Sequence, residues 1–506
     1  MRPPRVLPAV VFIAGAASLA IEICASRLLA PYFGNSTIVW ANVIGLILIY
    51  LSLGYWLGGR IADRHPTPRG LGTVQVIAAV AIAVLPFVAH PFLNLALQGF
   101  AALSVGAVIG SFVSTLLLFV VPVSLLGMAS PYALRLSLHD VTRAGRTSGR
   151  LSSLATVGAI LGTFGSALLL VPAIGTQRTM LVAALLTAIA ALPLLLRPAA
   201  VVAVVVGGLL LVPPSPPKPE TGSIAEREDA YQFVQVLRDA DGKIVMRTDE
   251  GVADQSVYRD GAALTGGEWD MPVVVPPLMS QPLHRILVIG NAGGSTARAL
   301  AAEYPGVAID GVELDPTVTE FARRYMAMDS IPGLNVITAD GREFLSSTSR
   351  KYDLIVVDAY RQTYIPFYLT TREFFALARD HLNAGGALAL NVERVPGDDR
   401  LVQSVSATLA TTVPQTLVWP ALRFNELVVG LTTPISTSSM DIRMRQLPSQ
   451  AAVLAPLVTA NMHVVSPSSE PLTDDHAPVE WLTDRAVLAY IAAGGRLDEH
   501  LLPTAP

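Results

Sequence analysis

The tightest constraint in the chain lies between residues 285 and 358, where four short apolar runs each end in a turn or a carboxylate. The stretch opens with RILVIGNAGGSTARAL, passes through VAIDGVELDPTVTEFA and VITADGREF, and closes with YDLIVVD. Residues 286–289 lack helical spacing, a Gly-bearing turn follows, and the Ala-rich segment beyond it has helical character. That pattern predicts strand, tight turn and helix. Three further strands, VAIDGVE, NVIT and IVVD, each end at or just before an acid. Ligands of open α/β sheets bind at the carboxyl ends of strands, so these four ends together predict a nucleotide site.

Within it, Gly290, Gly293 and Gly294 permit positive φ and close approach of a ligand, and the helix that follows presents free N–H groups. Glu313 closes the second strand about 20 residues after the turn, where a doubly wound sheet sets a carboxylate against ribose hydroxyls. Asp340 and Gly341 follow the third strand; Asp340 either reaches an adenine amino group or caps the GREFL helix, and the two roles are compatible. Asp358 ends the fourth strand ahead of AYRQTYIPFYLTT, a loop rich in aromatics that carries Tyr360, Tyr364 and Tyr368. A carboxylate there can take a proton from an amine or hold a cation. The alternative is a strand cap beneath aromatics that pack as core.

The rest of the chain divides sharply. Only 15% of its 506 residues are charged and the mean hydropathy is +0.51, which places a large part of it in lipid. Up to residue 213 there are 12 Arg, no Lys and 3 acids; the remainder is acidic overall, which argues against nucleic acid as a partner. Arg2 and Arg5 precede an apolar run that continues to residue 30 without a cleavage site, so it reads as a first membrane span. Further spans are expected near residues 38–59, 71–90, 112–134, 151–172 and 178–196. Residues 92–110 either span or lie re-entrant, and 199–212 is short for a crossing.

Arginines at 60, 64 and 69, and again at 135, 143, 146 and 150, should be cytoplasmic with the N-terminus. Arg197 is then inside too, and a full crossing at 199–212 would put the second half outside. Because an adenosyl ligand is expected in the cytosol, the sequence reading keeps the catalytic half cytoplasmic, on a multi-pass inner-membrane protein in which either the last apolar segment does not fully span or the helix count differs elsewhere. Glu22 and Arg27 in the first span are costly in lipid and should face the bundle interior, either as a polar track for a cationic substrate or as structural ion pairs with neighbouring helices. Spacing of the GxxxG type at Gly158 and Gly162 suggests helix packing. Cys24 is the sole cysteine, and the eight histidines have no ligand spacing, so no metal is expected.

The expected organisation is a transmembrane α-helical bundle over 1–212, a Pro-rich linker over 213–223, a small β-strand domain over 224–282, and a Rossmann-like, methyltransferase-type α/β sheet over 283–495. In the second half, YQFVQVLRD and KIVMRTD form a hairpin around Asp241 and Gly242. Asp315 and Pro316 open the helix TVTEFARRYMA. Thr370 or Thr371 caps EFFALARDHL, Gly385 and Gly386 end it, and GALALNV supplies a fifth strand.

Taken together, YQFVQV, the Gly turn, VELD, ADGREF and YDLIVVD resemble the polyamine aminopropyltransferases, the spermidine synthases. The helices and the late LTDDHAPVE resemble the bacterial branch that carries a membrane domain. The resemblance implies decarboxylated S-adenosylmethionine as co-substrate, an amine such as putrescine as acceptor, and no permanently bound cofactor. It implies Gln232 on the adenosyl donor, Glu313 on the ribose, Asp340 on the adenine, and Asp358 as base on the attacking amine. Tyr231, Tyr360, Arg361 and Tyr364 would line the acceptor pocket. Partners implied are the lipid bilayer, a small amine and a second copy of the chain.

Two positions depart from the family. Gly293 stands where an Asp usually holds the donor's aminopropyl nitrogen, and Arg361 stands where a second Asp usually follows the catalytic one. Three readings follow: an aminopropyltransferase with a rebuilt amine pocket, a transferase of intact S-adenosylmethionine whose carboxylate meets Arg361, or a membrane sensor or transport protein that binds such a ligand without chemistry.

Overall fold

The computed structural model describes residues 6–34, 37–101, 106–138, 141–215, 217–218, 220–229, 231–249, 251, 253–360, 364–445, 447 and 450–493. The chain forms two compact units, Met1–Pro219 with Glu228–Phe233, and Glu220–Arg227 with Val234–Pro506.

The first unit is helical. Its helices are α1 (Leu7–Phe33), α2 (Thr37–Arg64), α3 (Pro68–Ala101), α4 (Gly106–Gly127), α5 (Ala129–Ser137), α6 (Ala144–Gly165), α7 (Val171–Ala191) and α8 (Leu196–Leu209). Among the described residues, five helical stretches are long and apolar enough to cross a bilayer. Helix α3 runs past Pro86 and Pro91, so the described residues of 92–110 belong to the tail of α3 and the start of α4 rather than to a separate helix. A π-turn over Ser166–Leu170 joins α6 to α7, and the reversal of direction falls at Gly175, whose φ of 80° breaks the helix.

Helix α6 lies along α1 so closely that a Cβ added at Gly158 would meet the Phe12 carbonyl oxygen at 2.1 Å, and one at Gly162 the Ala16 carbonyl oxygen at 2.1 Å. Small residues let the backbones touch, which is how helices associate where no water drives them together. Glu22 and Arg27, five residues apart on α1, point about 140° from each other around the helix. Arg27 Nη1 donates to the carbonyl of Asp229 at 2.8 Å.

One end of this bundle gathers Leu7, Leu71, Tyr132, Leu151 and Leu194, with Asp63 and Arg135 paired at 2.9 Å. At the other end Phe33 packs on Gly110, Tyr32 Oη donates to the Pro217 carbonyl at 2.9 Å, and Ser215 N donates to Gln177 Oε1 at 2.9 Å. Leu194 and Leu195 lie against Gly72, so the chain between them and Ser215 passes from the first end to the second. As the sequence suggests, α8 is shorter than the five long apolar stretches, and the residues after it add to its reach. The 14 residues of α8 rise about 21 Å and six extended residues add up to about 20 Å, enough for a bilayer core of about 30 Å.

The second unit opens with an antiparallel sheet of β1 (Ser223–Glu228), β2 (Phe233–Arg238), β3 (Ile244–Thr248) and β4 (Asp254–Tyr258), in that order. The hairpin around Gly242 joins β2 and β3, while β1 and β4 lie outside the two β segments read from sequence. Then follow β5 (Arg285–Ile289), α9 (Ser295–Glu303), β6 (Ala308–Glu313), α10 (Pro316–Tyr325), β7 (Leu334–Thr338), α11 (Gly341–Ser347), β8 (Tyr352–Val357), α12 (Arg372–Asp380), β9 (Leu382–Glu393), α13 (Arg400–Leu409), β10 (Gln415–Leu422), β11 (Asn425–Leu431) and β12 (His463–Val465).

The eight-stranded sheet has the order β12-β10-β11-β9-β8-β5-β6-β7. Strands β5 to β9 run parallel; the central β5 and β8 are buried, apolar runs, as strands covered on both faces must be, while the edge strand β7 exposes Asn335 and Thr338. Antiparallel β11 is wedged between β9 and β10, the Rossmann-like arrangement of methyltransferase-type domains. Gly385 and Gly386 do not end a helix. They lie inside β9, which starts at Leu382, because Gly385 at φ 81° and the tight approach of Gly386 to the Asp353 carbonyl let the strand begin early.

Candidate active site

The strand order reverses between β5 and β8, and a crevice opens at the carboxyl end of a sheet at such a switch point. Ile289 pairs with Val357 and with Val312, and Glu313 with Thr338, so the turn after β5, Glu313, Asp340 and Asp358 all follow the same edge. Three strand spacings separate the ends of β8 and β7, about 14 Å, which suits an elongated nucleoside with its reactive group over β8.

The turn is tighter than its glycines alone suggest. Positive φ occurs at Gly290, Ala292 and Gly294. A Cβ at Gly290 would meet the Asp358 carbonyl oxygen at 2.3 Å, so this glycine admits the neighbouring strand end rather than a ligand. A Cβ at Gly293 would lie 2.6 Å from Ser256 Cβ and 2.7 Å from Met326 Sδ. Gly293 N donates to Ser256 Oγ at 2.8 Å. The space beyond Gly293 is thus filled by β4 and by the end of α10. Gly341 is held likewise, with Ile289 Cγ2 2.2 Å from its absent Cβ.

Glu313 is buried and accepts from Ala292 N at 2.9 Å and Asp315 N at 3.0 Å. Burial raises its carboxyl above the usual value, and those N–H donors partly offset the rise. Asp340 caps α11 through Oδ1, which accepts from Arg342 N at 2.9 Å and Glu343 N at 3.1 Å, while Oδ2 accepts from Tyr368 Oη at 2.8 Å. Asp315 and Thr371 cap α10 and α12.

Asp358 accepts from Asn391 Nδ2 at 2.9 Å. Asn391 Oδ1 in turn accepts from Asn425 Nδ2 at 3.0 Å, and its backbone carbonyl accepts from Tyr360 Oη at 3.0 Å. Burial pushes the Asp358 carboxyl up to about 6, against the lowering effect of Asn391. Glu268 rises to about 8, through burial first and the charge of Asp358 second. Tyr360 is held far above its ordinary value by burial and by the charges of Asp358, Glu393 and Glu268. Of the two carboxyls Asp358 is the one that ionises first, which suits it to take a proton from an amine near neutrality.

Sequence reasoning missed Glu268, Asn391 and Glu393. Asn391 carried one usable signal, a polar residue in an otherwise apolar strand. Tyr364 bonds to Asp484 on the helix Val479–Ala492. Tyr231 is exposed, and its N–H and that of Gln232 donate to Asp229 Oδ1 at 2.8 and 3.1 Å, in the segment that belongs to the helical unit. Arg361 lies outside the described residues. In LTDDHAPVE, Asp474 clasps Arg342 at 2.8 and 2.6 Å and accepts from Thr371 Oγ1 at 2.7 Å. Among the described residues no three His, Cys, Asp or Glu gather as metal ligands would.

The strand order and the carboxylates along its edge define a Rossmann-like, methyltransferase-type α/β domain. Residues 271–422 match the family model of the spermine/spermidine synthase domain. A protein of Bifidobacterium longum named "Probable polyamine aminopropyl transferase" is 34% identical over 193 residues, 38% of this chain and 42% of that one. The polyamine aminopropyltransferase of Vibrio vulnificus is 40% identical over 111 residues, 21% of this chain and 37% of its own. The chain thus spans less than half the length of these curated relatives. A crystal structure of spermidine synthase from Thermotoga maritima is similar at 19% identity and TM-score 0.38, over 44% of this chain and 78% of that one. At that level the likeness adds nothing to the strand order.

Proposed function

We propose that the protein is a membrane-anchored, spermidine synthase-like aminopropyltransferase that moves an aminopropyl group from decarboxylated S-adenosylmethionine to an amine such as putrescine. The observation that carries this reading is the position of Asp358, a carboxylate poised near neutrality at the switch point of a domain that matches the spermine/spermidine synthase model. Glu313 and Asp340 would hold ribose and adenine along the edge, beside the turn of Gly290, Gly293, Gly294 and the start of α11 at Gly341. Gln232 would contact the adenosyl donor. Tyr231, Tyr360, Arg361 and Tyr364 would border the acceptor.

In the step itself an amine nitrogen attacks the methylene carbon next to the sulfonium. A C–N bond forms, the C–S bond breaks, neutral methylthioadenosine leaves, and the proton released from nitrogen passes to Asp358. Raising that carboxyl towards the working pH fits it to the task, because proton transfer is most efficient when donor and acceptor are matched. The helical unit anchors the enzyme in the bilayer, where it can pair with a second copy.

A second reading draws on Gly293. With Ser256 and Met326 filling the space beyond it, this wall cannot offer a carboxylate to an aminopropyl nitrogen, which favours intact S-adenosylmethionine as donor. Incubating the purified full chain with either donor plus putrescine or spermidine separates the readings. Methylthioadenosine as product supports aminopropyl transfer and S-adenosylhomocysteine supports methyl transfer. Tight nucleoside binding without either product identifies a non-catalytic binding domain.

A further inference from the structure

Basic side chains of the helical unit are distributed very unevenly between its two ends. Arg60 and Arg64 close α2, Arg69 opens α3, and Arg135 sits on α5 against Asp63. Arg143, Arg146 and Arg150 lead into α6, and Arg197 opens α8. All eight belong to the end that gathers Leu7, Leu71, Tyr132 and Leu194. Arg2 and Arg5 precede α1 in the sequence. The opposite end holds Arg27, Arg178 and Lys218. Short loops rich in Lys and Arg stay in the cytoplasm, so the eight-arginine end faces the cytosol.

The chain leaves the bundle at the other end. Ser215 is bonded to Gln177 and Pro217 to Tyr32, both at the arginine-poor end. Further on, the segment 228–233 returns to it: Thr176 Oγ1 donates to Glu228 Oε1 at 2.7 Å and Arg27 to the Asp229 carbonyl at 2.8 Å. These are two separate passages of chain, and both meet the same end. Counted along the helices, α1, α2, α3 and α4 cross in turn; α6 with its π-turn, then α7 and α8, make seven crossings from a cytoplasmic start.

We infer that the second unit lies on the non-cytoplasmic side of the membrane, and that its substrates reach it from that side. The cytoplasmic placement expected from sequence needs either a last apolar segment that stops short or a different helix count elsewhere; the path of α8 and the count of seven crossings speak against both. Residues 25–506 contain no cysteine, so nothing in the second unit depends on a reducing compartment. If its donor is a sulfonium nucleoside made in the cytosol, a transport step for a cationic nucleoside must precede the reaction. The inference itself stands on the path of the chain and does not rest on the chemistry proposed above.

Single-cysteine labelling of the full chain in intact bacterial cells tests it. The buried Cys24 is replaced by Ser, and one new cysteine is introduced as Ala302→Cys in α9 or as Pro66→Cys between α2 and α3, both at exposed positions. A membrane-impermeant maleimide is expected to label Ala302→Cys in intact cells and Pro66→Cys only after permeabilisation. Labelling of Ala302→Cys only after permeabilisation, or of Pro66→Cys in intact cells, overturns the inference. Fusions at the carboxyl end give an independent reading. Active alkaline phosphatase supports the external placement, and a fluorescent cytosolic reporter overturns it. The product assay with purified protein does not depend on sidedness, so failure of one proposal leaves the other standing.

Discussion

Replacing Asp358 by Asn is expected to stop turnover and, at the same time, to stabilise the second unit in a pH-dependent way. Burial holds this carboxyl at about 6 in the folded chain, against an ordinary 3.8. A carboxyl raised by folding loses its proton later in the folded chain than in the unfolded one. Below about pH 4 both states are protonated and the group is neutral to stability. Between about pH 4 and 6 the unfolded chain alone gains a hydrated carboxylate, so stability falls, and above about 6 the deficit is constant. A difference of roughly two pKa units corresponds to about 3 kcal/mol. Asn has no charge to desolvate, and its carbonyl can accept the bond that Asn391 Nδ2 now gives to the acid. The Asn variant should therefore match the native chain near pH 4 and exceed it by up to about 3 kcal/mol at pH 8. At roughly 2 to 4 °C per kcal/mol that is a rise in Tm of about 6 °C or more. Thermal unfolding of the full chain, followed through the fluorescence of Trp269, Trp419 and Trp481, measures it. A variant less stable than native at pH 8, or a difference that does not change between pH 4 and 8, would refute the reasoning. Turnover should fall by about 10²- to 10⁴-fold, as for loss of a general base.

The remaining predictions concern the surroundings of that carboxylate and the helix contacts. Asn391→Ala removes the bond that favours the ionised form, so the acidic limb of the kcat/KM profile should move to higher pH than in the native chain; a shift to lower pH would show that Asn391 acts otherwise. Gly293→Asp should not create an aminopropyl pocket, because its Cβ falls on Ser256 and Met326; a loss of about 1 to 3 kcal/mol in chemical unfolding is expected, with no gain in use of the decarboxylated donor. Gly162→Leu should separate α6 from α1 and lower the yield of folded protein from membranes, whereas Gly165→Leu, where nothing lies within 4 Å of the added carbon, should be tolerated.

What could be read from the chain alone was what local chemistry encodes. The strand at 285–289 and the turn after it, the acid at the end of β6, and the caps at Asp315, Asp340 and Thr371 all follow from residues within a few positions of one another. The features that escaped depend on partners far away. Gly293 reads as an open position until β4 brings Ser256 against it. Glu268 lies 90 residues before the carboxylate whose charge it feels, and Asn391 is a strand residue until its amide meets Asp358. In the helical unit, Pro86 and Pro91 look like breaks, yet α3 continues through both. The direction of α8 could not be judged from its length, since the six residues after it complete the distance.

The fastening of Asp229 to Arg27 and of Glu228 to Thr176 bears on how the molecule can be handled at the bench. A biochemist who trims away the greasy half to obtain a tractable soluble fragment also discards the two anchors of the hairpin bend that carries Tyr231 and Gln232. Such a fragment would keep its pleated core while that bend swings loose, and a sluggish preparation would then report on the scissors rather than on the catalyst.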